Sequence, residues 1–85
     1  MNIDKIIKDI RKGASERLRI ALRSYKGSSF LDIRCFYDNS GGRESSWLPT
    51  RKGIAIQLNF LSELKDAIEK AIEQAELWSV ENDTE

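Results

Sequence analysis

Hydrophobic and polar positions recur with two different periods along this chain, and the changes of period divide it. Across "ERLRIALRSY", Glu16 to Tyr25, Leu18, Ile20 and Leu22 fall on one side. Arg17, Arg19, Arg23 and Tyr25 fall on the other, interrupted by Ala21. Such alternation predicts a half-buried strand. "FLDIRCFY", about 30–37, repeats the pattern, with Phe30, Asp32, Arg34 and Phe36 in one set and Leu31, Ile33, Cys35 and Tyr37 in the other. "YKGSS" between them reads as a turn, so the two strands form a hairpin. The polar loop "DNSGGRESS" follows and is expected to be exposed and mobile. Extended structure then resumes in "WLPTRKGIAIQL". Pro49 cannot donate to a ladder, so "PTRKG" is expected to kink the chain between a third strand near 45–50 and a fourth near 52–57.

Two stretches follow the helical period instead. Ile3, Ile6, Ile7 and Ile10 lie at i, i+3, i+4 and i+7, which predicts a short amphipathic helix over 2–12 that stops at Gly13. Leu61, Leu64, Ile68, Ala71, Ile72 and Ala75 predict a long helix to about Trp78, with Asn59 as its N-cap. The expected fold is α+β: a short N-terminal helix over residues 1–13, then a domain over 14–78, then a frayed acidic tail over 79–85. The domain holds a four-stranded antiparallel sheet and the long helix. Small Ala67, Ala71 and Ala75 let another helix approach closely, and pairing with a second copy would bury this stripe symmetrically. An 85-residue chain buries a modest core by itself, so a homodimer is expected.

Composition sharpens this. Hydrophobic residues are 40% and charged residues 33%, as in a soluble globular domain. Charges interrupt the apolar N-terminal stretch, unlike a signal peptide, and no apolar run is long enough to span a membrane. The single cysteine, Cys35, excludes an internal disulfide and fits a reducing compartment, so a cytoplasmic location is expected. No histidine occurs, which removes the usual imidazole base, the usual zinc ligand and the Ser-His and Cys-His pairs. No catalytic residue, metal or cofactor is therefore assigned. The formal net charge of zero conceals an asymmetry. Met1 to Lys52 carries twelve Lys/Arg and six Asp/Glu; Gly53 to Glu85 carries two and eight. Such a split can mark an anion-binding part joined to a part with another task.

The candidate chemistry lies in the opening strand. Side chains on one face of a strand stand about 6–7 Å apart, close to the phosphate repeat of a nucleic acid strand. Guanidinium forks match phosphate oxygens, and Tyr25 offers a flat face on which a base can stack. Arg34 and Phe36 on the next strand add a cation and a ring, and Trp47, Arg51 and Lys52 lie on the segment after it. Together these residues suit a single strand, whose base faces are open. Cys35 in an apolar set reads as an inert buried thiol, and Trp78 as a packing residue. "SGGRES" lacks the Gly-Lys-Ser/Thr ending of a phosphate loop. A protein-interaction module using the acidic helix, and a single-stranded RNA-binding protein, are the alternatives.

"RLRIALRSYKG", "FLDIRCFYDNSGG", "WLPTRKGIAI" and "LNFLSELKDAIEKAI" together resemble the transcriptional positive cofactor 4 family, over about 17–75. That family is a single-stranded-DNA-binding coactivator domain of eukaryotes with compact bacterial and viral relatives. The resemblance implies a strongly curved four-stranded sheet followed by a helix, and a homodimer whose grooves hold single-stranded DNA or melted duplex. It also implies partners in transcription or replication and a bacterial or phage setting, with nuclear location in a eukaryote. Carried onto this chain, it implies DNA contacts by Arg23, Tyr25 and Lys26, by Arg34 and Tyr37, and by Arg51 and Lys52. Strict alternation puts Phe36, not Tyr37, beside the arginines; a bulge near 36–37 would reconcile the two.

Overall fold

The computed structural model describes residues 3–40 and 46–82. Its elements are β1 (Ile3–Arg11), β2 (Glu16–Tyr25), β3 (Ser28–Asp38), β4 (Trp47–Gln57), a 3-10 turn (Leu58–Phe60) and α1 (Leu61–Asn82). The strands form one antiparallel sheet in the order β1-β2-β3-β4, followed by a single helix.

The hairpin is the most regular part. β2 and β3 pair without interruption from Glu16–Tyr37 to Tyr25–Ser28. Lys26 and Gly27 close it with φ of 48° and 81°. Positive φ at both central positions gives a turn whose twist matches that of the strands it joins.

Residues 3–11 are a strand rather than the expected helix. The ladder with β2 shifts between Ile6 and Lys8, so Ile7 is an extra residue on β1. Ile6 pairs with Ala21 and Ile10 with Leu18, on opposite faces of the sheet, so the helix-like spacing of the isoleucines marks no single face, and isoleucine is at home in strands. The expected third and fourth strands, in turn, are one strand, β4. Its register against β3 passes from Gly53 opposite Arg34 to Pro49 opposite Phe36, which leaves Thr50–Lys52 bulged out. The expected kink at "PTRKG" is this bulge. Asn59 lies inside the 3-10 turn rather than capping the helix, and α1 runs past Trp78 to Asn82. Residues 41–45 of the polar loop and 83–85 of the acidic tail lie outside the described residues.

Gly53 is required where β4 rejoins β3. A Cβ there would stand 2.6 Å from the Ile33 carbonyl oxygen and 2.9 Å from Arg34 Cα. At the other end of β4, Asp38 ties down the loop base. Its carboxylate accepts from the amides of Ser40 (2.9 Å) and Ser46 (3.3 Å). The Ser40 side chain and these amides hold the Asp38 carboxyl below its ordinary range.

The chain encloses little. Among the described residues only Ala21 and Asp32 are buried, and the radius of gyration is 16.1 Å. A compact domain of this length would have about 12 Å. The molecule is flat, 47 × 38 × 18 Å, because α1 leaves the sheet instead of lying across it. Leu61 and Leu64 are partly covered, whereas Ile68, Ile72, Leu77 and Trp78 are exposed. No helix among the described residues is long and apolar enough to cross a membrane.

Candidate nucleic-acid interface

Antiparallel register sorts the side chains into two faces, because directly opposed residues point the same way. Arg17, Arg19, Ala21, Arg23 and Tyr25 on β2 oppose Phe36, Arg34, Asp32, Phe30 and Ser28 on β3. On β4 the same face continues with Trp47, Pro49, Gly53, Ala55 and Gln57. On β1 it holds Asp4, Ile6, Asp9 and Arg11. The opposite face carries Leu18, Ile20, Leu22, Leu31, Ile33, Cys35, Tyr37, Leu48, Ile54 and Ile56. A concavity of about 320 Å³ lies in the arginine face, with small Ala21 in its lining beside Arg19, Arg23, Asp32, Phe36 and Pro49.

The arginines are held by carboxylates and rings. Asp32, its side chain 5% exposed, accepts from Arg34 Nε (3.1 Å) and Nη2 (3.0 Å) and from Arg23 Nη1 (3.5 Å). This pair raises Arg34 above its ordinary value, so its charge is fixed. Arg34 Nη1 also donates to the Thr50 carbonyl at 3.0 Å, which fastens the β4 bulge to β3. The Thr50 hydroxyl donates to the Cys35 carbonyl (2.8 Å) and accepts from the Lys52 amide (3.1 Å). Toward β1, Asp9 accepts from Arg17 Nη1 (3.0 Å) and from Arg19 Nε and Nη2 (2.9 and 3.1 Å). Arg19, with Arg17 beside it, holds the Asp9 carboxyl below its ordinary range. Arg23 Nε donates to Asp4 at 3.1 Å. Arg17 lies over the Trp47 ring at 3.7 Å and Arg19 over Phe36 at 4.5 Å. Guanidinium planes on rings make a layered surface on which a base can continue the stack.

Of the residues singled out in the sequence, Arg17, Arg19, Arg23, Tyr25, Arg34, Phe36 and Trp47 share this face. Tyr25 is half exposed at its end, with Lys26 Nζ 5.3 Å from the ring centre. Arg51 and Lys52 lie in the exposed bulge beside Arg34. Tyr37 does not join them. β3 keeps its alternation against β2 through 37, and the bulge that would have turned Tyr37 is on β4 instead. Tyr37 therefore lies on the apolar face, 39% exposed. Cys35 shares that face, half-buried, with Lys12 Nζ 3.5 Å from its sulfur.

Sequence reasoning missed Asp4 and Asp9. Their part in the site becomes visible only once residues 3–11 are a strand, which sets Asp4 opposite Arg23 and Asp9 opposite Arg19. Asp4 and Asp9 are five residues apart and meet Arg23 and Arg19, four apart, only because Ile7 is inserted between them, so no alternation marked them in the sequence.

A four-stranded antiparallel sheet with guanidiniums and rings on one face, followed by a helix with an uncovered apolar side, has a surface of the kind that suits a nucleic-acid-binding protein. A family model described as Transcriptional Coactivator p15 (PC4) matches residues 12–67. The chain belongs to this family of transcriptional coactivators. It is similar to a PC4 homolog from Burkholderia pseudomallei K96243 in two crystal forms. The orthorhombic form is 33% identical over 79% of this chain and 86% of that one, with a TM-score of 0.70. The tetragonal form is 32% identical over 81% and 97%, with a TM-score of 0.71. The bacteriophage T5 homolog of the eukaryotic coactivator PC4, implicated in recombination-dependent DNA replication, shares the fold at 21% identity. It is matched over 87% of this chain and 82% of that one, with a TM-score of 0.68. No curated protein sequence matches the chain.

Proposed function

We propose that the chain acts as a homodimer that binds single-stranded DNA with little sequence preference. The setting proposed is transcription, replication or repair in a bacterial or phage-infected cell. The observation that carries this reading is the shared face of Arg17, Arg19, Arg23, Arg34, Tyr25, Phe36 and Trp47. Phosphates meet the cations, and bases stack on Tyr25 and on the guanidinium-covered rings. Lys26, Arg51 and Lys52 take part in no ion pair among the described residues, and they supply cations at the rim. Tyr37 is kept as a contact that the dimer would have to bring to the strand. The reading contains no catalytic step. The dimer rests on α1, whose Ile68 and Ile72 are about half exposed and have no sheet beneath them.

Titration of a labelled single-stranded oligonucleotide at two salt concentrations tests the reading. Affinity is expected to fall steeply with salt, because bound cations release counterions. Tyr25→Ala is expected to weaken single-strand binding by about 1–3 kcal/mol while barely changing duplex binding. Equal losses on both would remove stacking from the account. Tighter binding of a matched RNA oligomer, or a protein complex that oligonucleotide does not displace, would favour the other two functions.

A further inference from the structure

We propose that Asp4 and Asp9 on the edge strand β1 are stand-ins for phosphate: they occupy the guanidinium forks of Arg23, Arg17 and Arg19 in the free protein and give way to nucleic acid. This rests on the single-strand reading and names what limits its affinity.

The geometry is that of a bound anion. Asp9 engages Arg19 through Nε and Nη2, one to each carboxylate oxygen, which is the edge of the fork that grips a phosphate. The same carboxylate takes Arg17 Nη1, so one anion bridges two cations. Asp4 takes Arg23 Nε. The two acids lie opposite Arg23 and Arg19, four residues apart on β2 and so about 13 Å along the strand. That span is close to two phosphate steps of an extended nucleic acid strand. Four guanidiniums and three carboxylates meet here, Arg17, Arg19, Arg23 and Arg34 against Asp4, Asp9 and Asp32, leaving a net charge of one.

The three acids are not equivalent. Asp32 is on a central strand with 5% of its side chain exposed, and it is structural. Asp9 and Asp4 are on the open edge, 24% and 51% exposed. Ion pairs in contact with water add little net stability, so a phosphate can replace them at small cost. The free protein thus carries its arginines already aligned by anions of its own.

The test compares the full chain with Asp9→Asn, which keeps the size and one acceptor oxygen of the side chain. Binding of a labelled oligothymidine is read by fluorescence anisotropy at low and moderate salt. Asp9→Asn is expected to bind about fivefold tighter at low salt. Its plot of log affinity against log salt is expected to steepen by about 0.7 for each guanidinium released. Unchanged or weaker binding overturns the proposal, since Asp9 would then be positioning its arginines rather than competing for them. Circular dichroism checks the fold. Should Asp9→Asn fail to fold, Asp4→Asn, with its single bond to Arg23, carries the same test with the same sign. If the unaltered chain binds no oligonucleotide, the single-strand reading fails by itself. Inorganic tripolyphosphate then decides the exchange: tighter capture by Asp9→Asn sustains it, and equal capture overturns it.

Discussion

The two faces of the sheet are completed in different ways. On one, Arg17, Arg19, Arg23 and Arg34 find carboxylates and rings within the same chain, and among the described residues no buried side-chain polar atom lacks a partner. On the other, Leu18, Ile20, Leu22, Ile33 and Ile56 are only partly covered, and α1 projects beyond them with Ile72 57% exposed. The polar face is finished by folding. The apolar face keeps much of its area open, although burial of such area is the main driving force a chain of this size has. Charge on the arginine face is largely paired within the chain, and hydrophobic area is left open.

The strongest challenge to this contrast is Ile72→Glu. Burying an isoleucine contributes about 1.5–3 kcal/mol, and a symmetric interface meets the change twice. Sedimentation is expected to show a monomer of much reduced stability; an unchanged mass would mean that α1 is not the interface. Next is Asp32→Asn on the polar face. It leaves Arg34 and Arg23 without their buried counter-charge, and denaturant unfolding is expected to show a loss of about 3–5 kcal/mol. Asp9→Asn, by contrast, should cost less than about 1 kcal/mol, since its pairs touch water. Comparable losses for the two would erase the distinction between the structural and the exchangeable acid. Gly53→Ala forces a methyl against the Ile33 carbonyl and is expected to cost about 1–3 kcal/mol, read as a lower unfolding midpoint. The smallest effect concerns pH. The Asp9 carboxyl titrates below its unfolded value, so its contribution is complete above about pH 4 and is lost as pH falls through the lower folded value. The acid limb of a stability curve should therefore be shallower for Asp9→Asn than for the unaltered chain.

Much of this was legible in the sequence, for reasons that can be named. β2, β3 and the hairpin turn were plain because an uninterrupted ladder keeps its alternation, and "YKG" supplies a glycine where φ is positive. α1 was plain because 22 residues give the helical period room to repeat, although its end ran past the last large apolar side chain. The two strands that were misassigned, β1 and β4, are the two that contain a register shift. In β1 the isoleucines are split between the two faces, so their 3-4 spacing imitated a helix, and at Thr50–Lys52 a bulge made one strand look like two. Periodicity can be read only where the period holds. The arginines were legible as a stripe. Their engagement by Asp4 and Asp9 depends on which strand lies beside β2, which no local pattern carries.

The unbroken β2–β3 ladder also bears on how the molecule forms. Its two strands are adjacent in sequence and share one register, and Lys26-Gly27 brings their ends together with minimal loop entropy. β1 and β4 must each accommodate a misfit before they zip onto it. The hairpin is thus the nucleus that the chain can close first, on a time scale of about 1–10 μs. That hairpin already carries Arg17, Arg19, Arg23 and Arg34 on its two strands, so their stripe needs neither outer strand to exist.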